Sequence, residues 1–233
     1  MILSFVLITE KISGTERAKL MKVTIKHLLV IFIQAVCAGS CIGIGGIVYL
    51  RCEYKALGAF LFAIGLLTIL LFKFKLFTGM TGYILENKPS YLLDLLVTWF
   101  GNLSGTYLVA WLISKTRLTF NLDFVTTKLA DTWYSLLILS IFCGLLMFIG
   151  VSCFKAGVGT IDNIFALVMP VICVAVFIIA GFEHCIADMF YFALSGKLIE
   201  GIPSLLIITA GNVLGGFIIP VAKILNKELK DGK

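Results

Sequence analysis

Six blocks of apolar residues, Leu28–Leu50, Ala56–Phe72, Tyr91–Ser114, Trp133–Phe154, Ile164–Leu194 and Ile202–Leu225, limit what this chain can fold into. A helix rising about 1.5 Å per residue needs roughly 20 apolar residues to cross the hydrocarbon of a bilayer, and the blocks approach or exceed that length. The alternation expected of a transmembrane barrel strand is absent. The chain reads as an all-α integral membrane protein with six transmembrane helices. Composition agrees, since 60% of the 233 residues are hydrophobic and 14% charged, against about 45–50% apolar in ordinary soluble domains.

Lysine and arginine near span ends resist translocation and so set orientation. The two tails hold Lys11, Arg17, Lys19, Lys22 and Lys26, and Lys223, Lys227, Lys230 and Lys233; with Lys88 and Lys155 they place eleven positive residues on one face. Six lie on the other: Arg51, Lys55, Lys115, Arg117, Lys128 and Lys197. Both termini are therefore expected in the cytoplasm, in a multi-pass protein of the cell membrane. The net charge of +6 is mostly this topology signal and not a nucleic-acid footprint.

The organisation expected is an N-terminal cytoplasmic or interfacial segment over 1–26, a membrane domain over 27–225 and a cytoplasmic tail over 226–233. The opening "MILSFVLITEK" has an apolar run but neither a preceding basic segment nor a small-residue cleavage site, so it is a poor signal peptide. It could lie along the membrane surface, or the natural start could be Met21. Of the seven cysteines, all but Cys52 lie within apolar blocks and none forms a CxxC pair. They read as small hydrophobes, with neither a metal nor another cofactor expected.

Two segments echo one another: "GNLSG" at Gly101–Gly105 in the third block and "GNVLGG" at Gly211–Gly216 in the sixth. The second and fifth blocks are both interrupted, the second by "KFKLFTGMTG" and the fifth, 31 residues long, by "GFEH", with Pro170 earlier in it. Two halves of three helices, each with a broken middle helix, must insert with opposite orientation. The expectation is a pair of inverted three-helix repeats, about 27–114 and 133–225. Broken helices are tolerated at membrane depth only where they are buried or line a cavity.

Three ionisable residues stand at the second break, in "AGFEHCIADMF". His184 is the only histidine within the spans, His27 lying at the start of the first. A neutral imidazole is far less costly to bury than a carboxylate and can donate one hydrogen bond while accepting another. Glu183 is assigned to holding the break by accepting freed backbone N–H groups, and Asp188 to a vestibule or a subunit contact nearer the water. Thr78, in "LFTG", is taken as the counterpart of His184 in the other half, with Gly79 giving its backbone freedom.

"KLFTG" at Lys75–Gly79, "GNLSG", "GFEHCIADMF" at Gly181–Phe190 and "GNVLGG" together resemble the formate/nitrite transporter family, over about residues 22–224. The resemblance implies an aquaporin-like fold and a homopentamer with one pore per protomer. Thr78 and His184 would face one another along the substrate pathway, with Asn102, Asn212 and Glu183 nearby. Apolar constrictions would come from Phe62, Leu66, Leu76 and Phe77 on one side and Phe177 on the other. Lys128, in "KLADTWYSLLILSIFCG", matches a family lysine that would draw anions inward.

The chain departs from the family pattern in two places. Gly144 stands where many members have Asn, which removes one polar side chain from the pore. Lys73 and Lys75 stand where small or acidic residues are common.

The function implied is a channel or transporter for small monovalent anions of weak acids, formate, nitrite or hydrosulfide, coupled to protons through the central histidine. The alternatives are an aquaporin-like channel for neutral solutes, which lacks its Asn-Pro-Ala motifs here, and an intramembrane hydrolase using Ser104. The latter is disfavoured because Asn102 and Leu103 precede that serine where a Gly-x-Ser-Gly pattern is expected.

Overall fold

The computed structural model describes residues 14–157 and 164–231. The opening apolar run and Lys233 lie outside them. The described chain is helical: α1 Gly14–Arg51, α2 Lys55–Leu71, α3 Phe77–Met80 followed by a 3-10 turn Thr81–Glu86, α4 Tyr91–Ser114, α5 Asp123–Leu129, α6 Trp133–Gly157, α7 Phe165–Ile179, α8 Cys185–Leu194 and α9 Ile202–Asp231. Within α1, α4, α6 and α9 run four stretches long and apolar enough to cross a membrane.

The second and fifth blocks are broken as expected, into α2 with α3 and α7 with α8. Pro170 does not cause the second break, for it lies inside α7. The amphipathic turn α5, which carries Lys128, was not foreseen as an element. α1 begins at Gly14, so the described part of the N-terminal segment continues the first span as one helix.

The four long helices cross in two pairs, α1 on α4 and α6 on α9. At each crossing a glycine lets two backbones touch: a Cβ on Gly105 would run into the Val36 carbonyl, and one on Gly215 into the Ile141 carbonyl. Such close approach is how small residues drive packing in lipid, where apolar surface alone gives no preference for protein over tails. Gly144 has the same use, because a Cβ there would strike the Asn212 carbonyl. The position expected to lack a polar pore group is instead a point of backbone contact.

The core between these pairs is apolar, with Phe62, Leu66, Leu136, Met147, Phe190 and Phe192 all fully buried. Outward faces carry Ile33, Ile44, Leu96, Leu108, Leu206 and Ile218, all exposed. A large exposed apolar surface of this kind suits lipid or neighbouring copies, not water.

Candidate functional site

Both helix breaks close with the same backbone device. At the end of α2 the Phe74 N–H reaches the Ile69 carbonyl at 2.9 Å, and at the end of α7 the Phe182 N–H reaches the Phe177 carbonyl at 2.9 Å. Each is the six-to-one bond of a left-handed C-terminal cap. The residue that turns the chain is Gly181, with φ 74°, in the second break and Lys73, with φ 56°, in the first. Lysine there bears a strain that glycine does not.

An asparagine then pins each break to a neighbouring long helix. Asn102 accepts the Phe77 N–H at 2.9 Å and donates to the carbonyls of Ala35 at 2.8 Å and Lys75 at 2.9 Å. Asn212 accepts the Cys185 N–H at 2.9 Å and donates to Ser140 and Glu183 carbonyls, both at 2.8 Å. Both residues are 0% exposed. The broken backbone is thus satisfied without water. Expected beside the substrate, the two asparagines line neither of the cavities described below.

These bonds also fix the register between the breaks. Phe77 matches Cys185 and Lys75 matches Glu183, so the residue equivalent to His184 is Leu76, not Thr78. Leu76 and His184 are the N-caps of α3 and α8, both extended. His184 fills the cap with its ring, Nδ1 accepting the Ala187 N–H at 3.2 Å. An Nδ1 that accepts leaves the ring proton on Nε2, which donates to Thr78 Oγ1 at 2.9 Å. Among the described residues the Thr78 hydroxyl meets no side-chain or backbone acceptor, and Thr78, 1% exposed, lines neither cavity described below.

Two cavities lie near this pair, one lined by His184 itself and the other by Leu76 and Gly79, which flank Thr78 in the chain. One, of about 480 Å³, is lined by Phe62, Phe177, Lys128, Glu183, His184 and Asp188 among others. The other, of about 380 Å³, is lined by Leu66, Leu76, Gly79, Lys73, Lys75 and Lys155 among others. Phe177 stacks on the His184 ring with centroids 5.4 Å apart and meets Phe62 edge-on at 6.3 Å. Phe62 therefore stands with Phe177 and not with the leucines, as had been expected. Phe77 is buried but lines neither cavity.

The charges in the first cavity differ from expectation. Lys128 Nζ pairs closely with Glu183 Oε2 and also with Asp188 Oδ1 at 3.1 Å. Burial pulls the Lys128 ammonium toward neutrality, but the Asp188 and Glu183 carboxylates outweigh this and hold its pKa above the ordinary lysine value. It is not a free positive charge. The Glu183 carboxylate binds Lys128 instead of the broken backbone, which Asn212 holds through its amide. Asp188, expected near water, is 1% exposed. Sequence offered no sign of the Lys128–Asp188 contact, because α5 alone brings that lysine onto α8.

Ser104 is exposed on α4 and donates to the Phe100 carbonyl at 2.8 Å, while the His184 ring is held by Thr78 and Ala187. The pair that a serine hydrolase needs is not formed.

The model of the formate/nitrite transporter family matches residues 8–224. The chain belongs to that family. It is a multi-pass membrane protein, similar to the formate channel FocA of Escherichia coli K12, 30% identical over 201 residues that cover 75% of this chain and 69% of that one. The formate channel FocA of Haemophilus influenzae is 24% identical over 184 residues, 68% of this chain and 64% of its own length. The chain thus spans about two thirds of these relatives. Among solved structures, a pentameric formate channel with formate bound superposes with a TM-score of 0.74 at 23% identity, covering 88% of this chain and 98% of that one. An ion channel of the FNT family gives 0.74 at 23%, with 88% and 92% covered. The fold is that of formate/nitrite transporters.

Proposed function

We propose that this chain forms a pore for small monovalent anions of weak acids, formate, nitrite or hydrosulfide, moved together with protons. The contact between Thr78 and His184 carries the reading, since it joins the two breaks, with His184 lining one cavity and Leu76 and Gly79 beside Thr78 lining the other. An anion there would meet a neutral donor, the Thr78 O–H, whose oxygen is held by the His184 Nε2–H. Phe62 and Phe177 on one side and Leu66 and Leu76 on the other form apolar collars with Phe77 behind them. Collars of this kind strip water from an ion and exclude a charge that is not muted, because an uncompensated ion in an apolar medium costs many kcal/mol.

The architecture we infer is six spans in two inverted repeats, 27–114 and 133–225. The matched caps and asparagine bonds support it. So does the Trp99 Nε1–H donated to Thr209 Oγ1 at 3.1 Å, a contact between residues 110 apart, the same separation as Asn102 and Asn212. Pairs related by a repeat meet directly only on its axis. A homopentamer, with both termini cytoplasmic and lipid around the ring, follows from the relatives and from the lysine distribution. Lys128, Glu183, Asn102 and Asn212 then act as supports of the pathway and not as its lining donors, apart from the Lys128–Glu183 pair at one mouth.

The test is uptake into proteoliposomes under a pH gradient, offering formate, nitrite, hydrosulfide, glycerol and water. His184→Ala should reduce anion uptake at least about tenfold while leaving assembly intact. Unchanged anion flux in that variant would refute the pathway, and glycerol or water flux without anion flux would favour a neutral-solute channel.

A further inference from the structure

A transport cycle that moves a proton needs a group able to carry it, and the geometry of His184 does not suit that task. Its Nδ1 is occupied by the Ala187 N–H, so a second ring proton would break the cap of α8, and its Nε2 proton is committed to Thr78. The imidazole is built to remain a neutral donor.

The Lys128 cluster is built differently. One ammonium faces two carboxyl groups, Glu183 at 4% exposure and Asp188 at 1%. Fully ionised, the three groups sum to one net negative charge in a site with little water, at the mouth of a path for anions. An unpaired buried charge is strongly unfavourable, and two carboxyls in one site cannot easily both ionise. Both carboxyl groups meet the same ammonium, Lys128 Nζ. Asp188 Oδ1 contacts Lys128, whereas Asp188 Oδ2 is buried without a hydrogen-bond partner among the described residues. Asp188 also lines the cavity that leads to His184.

We propose that Asp188, sharing a proton with Glu183 across Lys128, is the proton-carrying group that accompanies the anion through this pore. The proposal rests on the transport reading above and deepens it. With that proton in place the cluster is electrically neutral, and an anion can enter the cavity beside it. The Asp188 Oδ2–H bond then breaks as the anion gains the proton, so a neutral acid passes the Phe62–Phe177 collar. A proton from the external medium, delivered as hydronium through the cavity, then restores the carboxyl pair and leaves water. Each anion thus leaves with one proton, and charge balances.

Other titratable groups around Asp188 do not substitute for it. Cys143 on α6 and Cys185 and Tyr191 on α8 lie in its surroundings and are buried, and a thiol or a phenol is a far weaker acid than a carboxyl group. Tyr49 at the end of α1, Lys55 at the start of α2 and His184 line the same cavity.

The experiment uses the full chain in proteoliposomes and records formate uptake, internal pH and membrane potential together. Wild type should take up one proton per formate, with flux falling as external pH rises because the proton is a co-substrate. In Asp188→Asn the protons carried per formate should fall about tenfold or more, and the remaining flux should follow the membrane potential and lose its pH dependence. Glu183→Gln, which also removes the shared proton, should show the same uncoupling. Retention of wild-type stoichiometry in both variants would overturn the proposal. Infrared spectroscopy gives a readout independent of flux: a buried carboxylic-acid band present in wild type and lost in Asp188→Asn is expected, and its absence from wild type would refute the assignment. If wild type moves no formate or nitrite at all, the transport reading fails, while the infrared band still reports on the shared proton.

Discussion

His184 caps its own helix: the Nδ1 that would take up a second proton instead accepts the Ala187 N–H, three residues on, at 3.2 Å. The arrangement settles the tautomer, aims Nε2–H at Thr78, and makes the ring part of the backbone architecture of α8. The ring and the Lys128–Glu183–Asp188 cluster, both lining one cavity, are the two groups between which we divide the role expected of a single histidine.

The asparagine pins should be the most sensitive points for stability. Asn212→Ala leaves the buried Cys185 N–H and the Ser140 and Glu183 carbonyls without their partner. Each orphaned group costs on the order of 1–3 kcal/mol. Thermal unfolding in detergent should shift down markedly, and Asn102→Ala should behave alike because its bonds correspond one for one. A pair of near-normal melting curves would show that water replaces the amide at the breaks.

Gly144 should not tolerate a side chain. Gly144→Ala places a methyl against the Asn212 carbonyl and must part α6 from α9. Overpacking of this kind typically costs about 1–3 kcal/mol. The expected result is a lower melting temperature, with Gly144→Asn affected more strongly than Gly144→Ala. A stabilised Gly144→Asn variant would mean that the helices part without penalty and that the position is open to a polar pore group.

Lys73 is the reverse case. It is the only residue other than glycine with a positive φ among the described residues, and its side chain is exposed. Lys73→Gly should relieve about 1 kcal/mol of backbone strain, raising the melting temperature slightly. Unchanged or reduced stability would indicate that the lysine side chain contributes more at the cavity mouth than the backbone loses.

The four long apolar helices were legible because hydrocarbon thickness writes itself directly into block length, and the breaks because Gly79, Gly82 and Gly181 interrupt otherwise apolar runs. Asn102 and Asn212 were visible as an echo, but their work was not, since an amide near a pore and an amide bound to main chain look the same in one dimension. The counterpart of His184 was misplaced for a related reason. "LFTG" and "GFEH" invite pairing by polarity, whereas the caps pair by backbone position and put a leucine opposite the histidine. Lys128 seemed an isolated cation because its two carboxylates lie on elements that only folding brings to it. The grouping of Phe62 likewise depends on α2 packing across α7, a contact for which a single sequence has no signal.

The two pins and the glycine crossings have a shared consequence. Since Asn102 and Asn212 stand on helices whose spacing is set by main chain touching main chain, the centre of the molecule resembles a rigid frame with two sockets. Leu76 occupies one socket and His184 the other. What fills a socket can be exchanged without moving the frame, so the chemistry at the centre can change by altering the inserts alone.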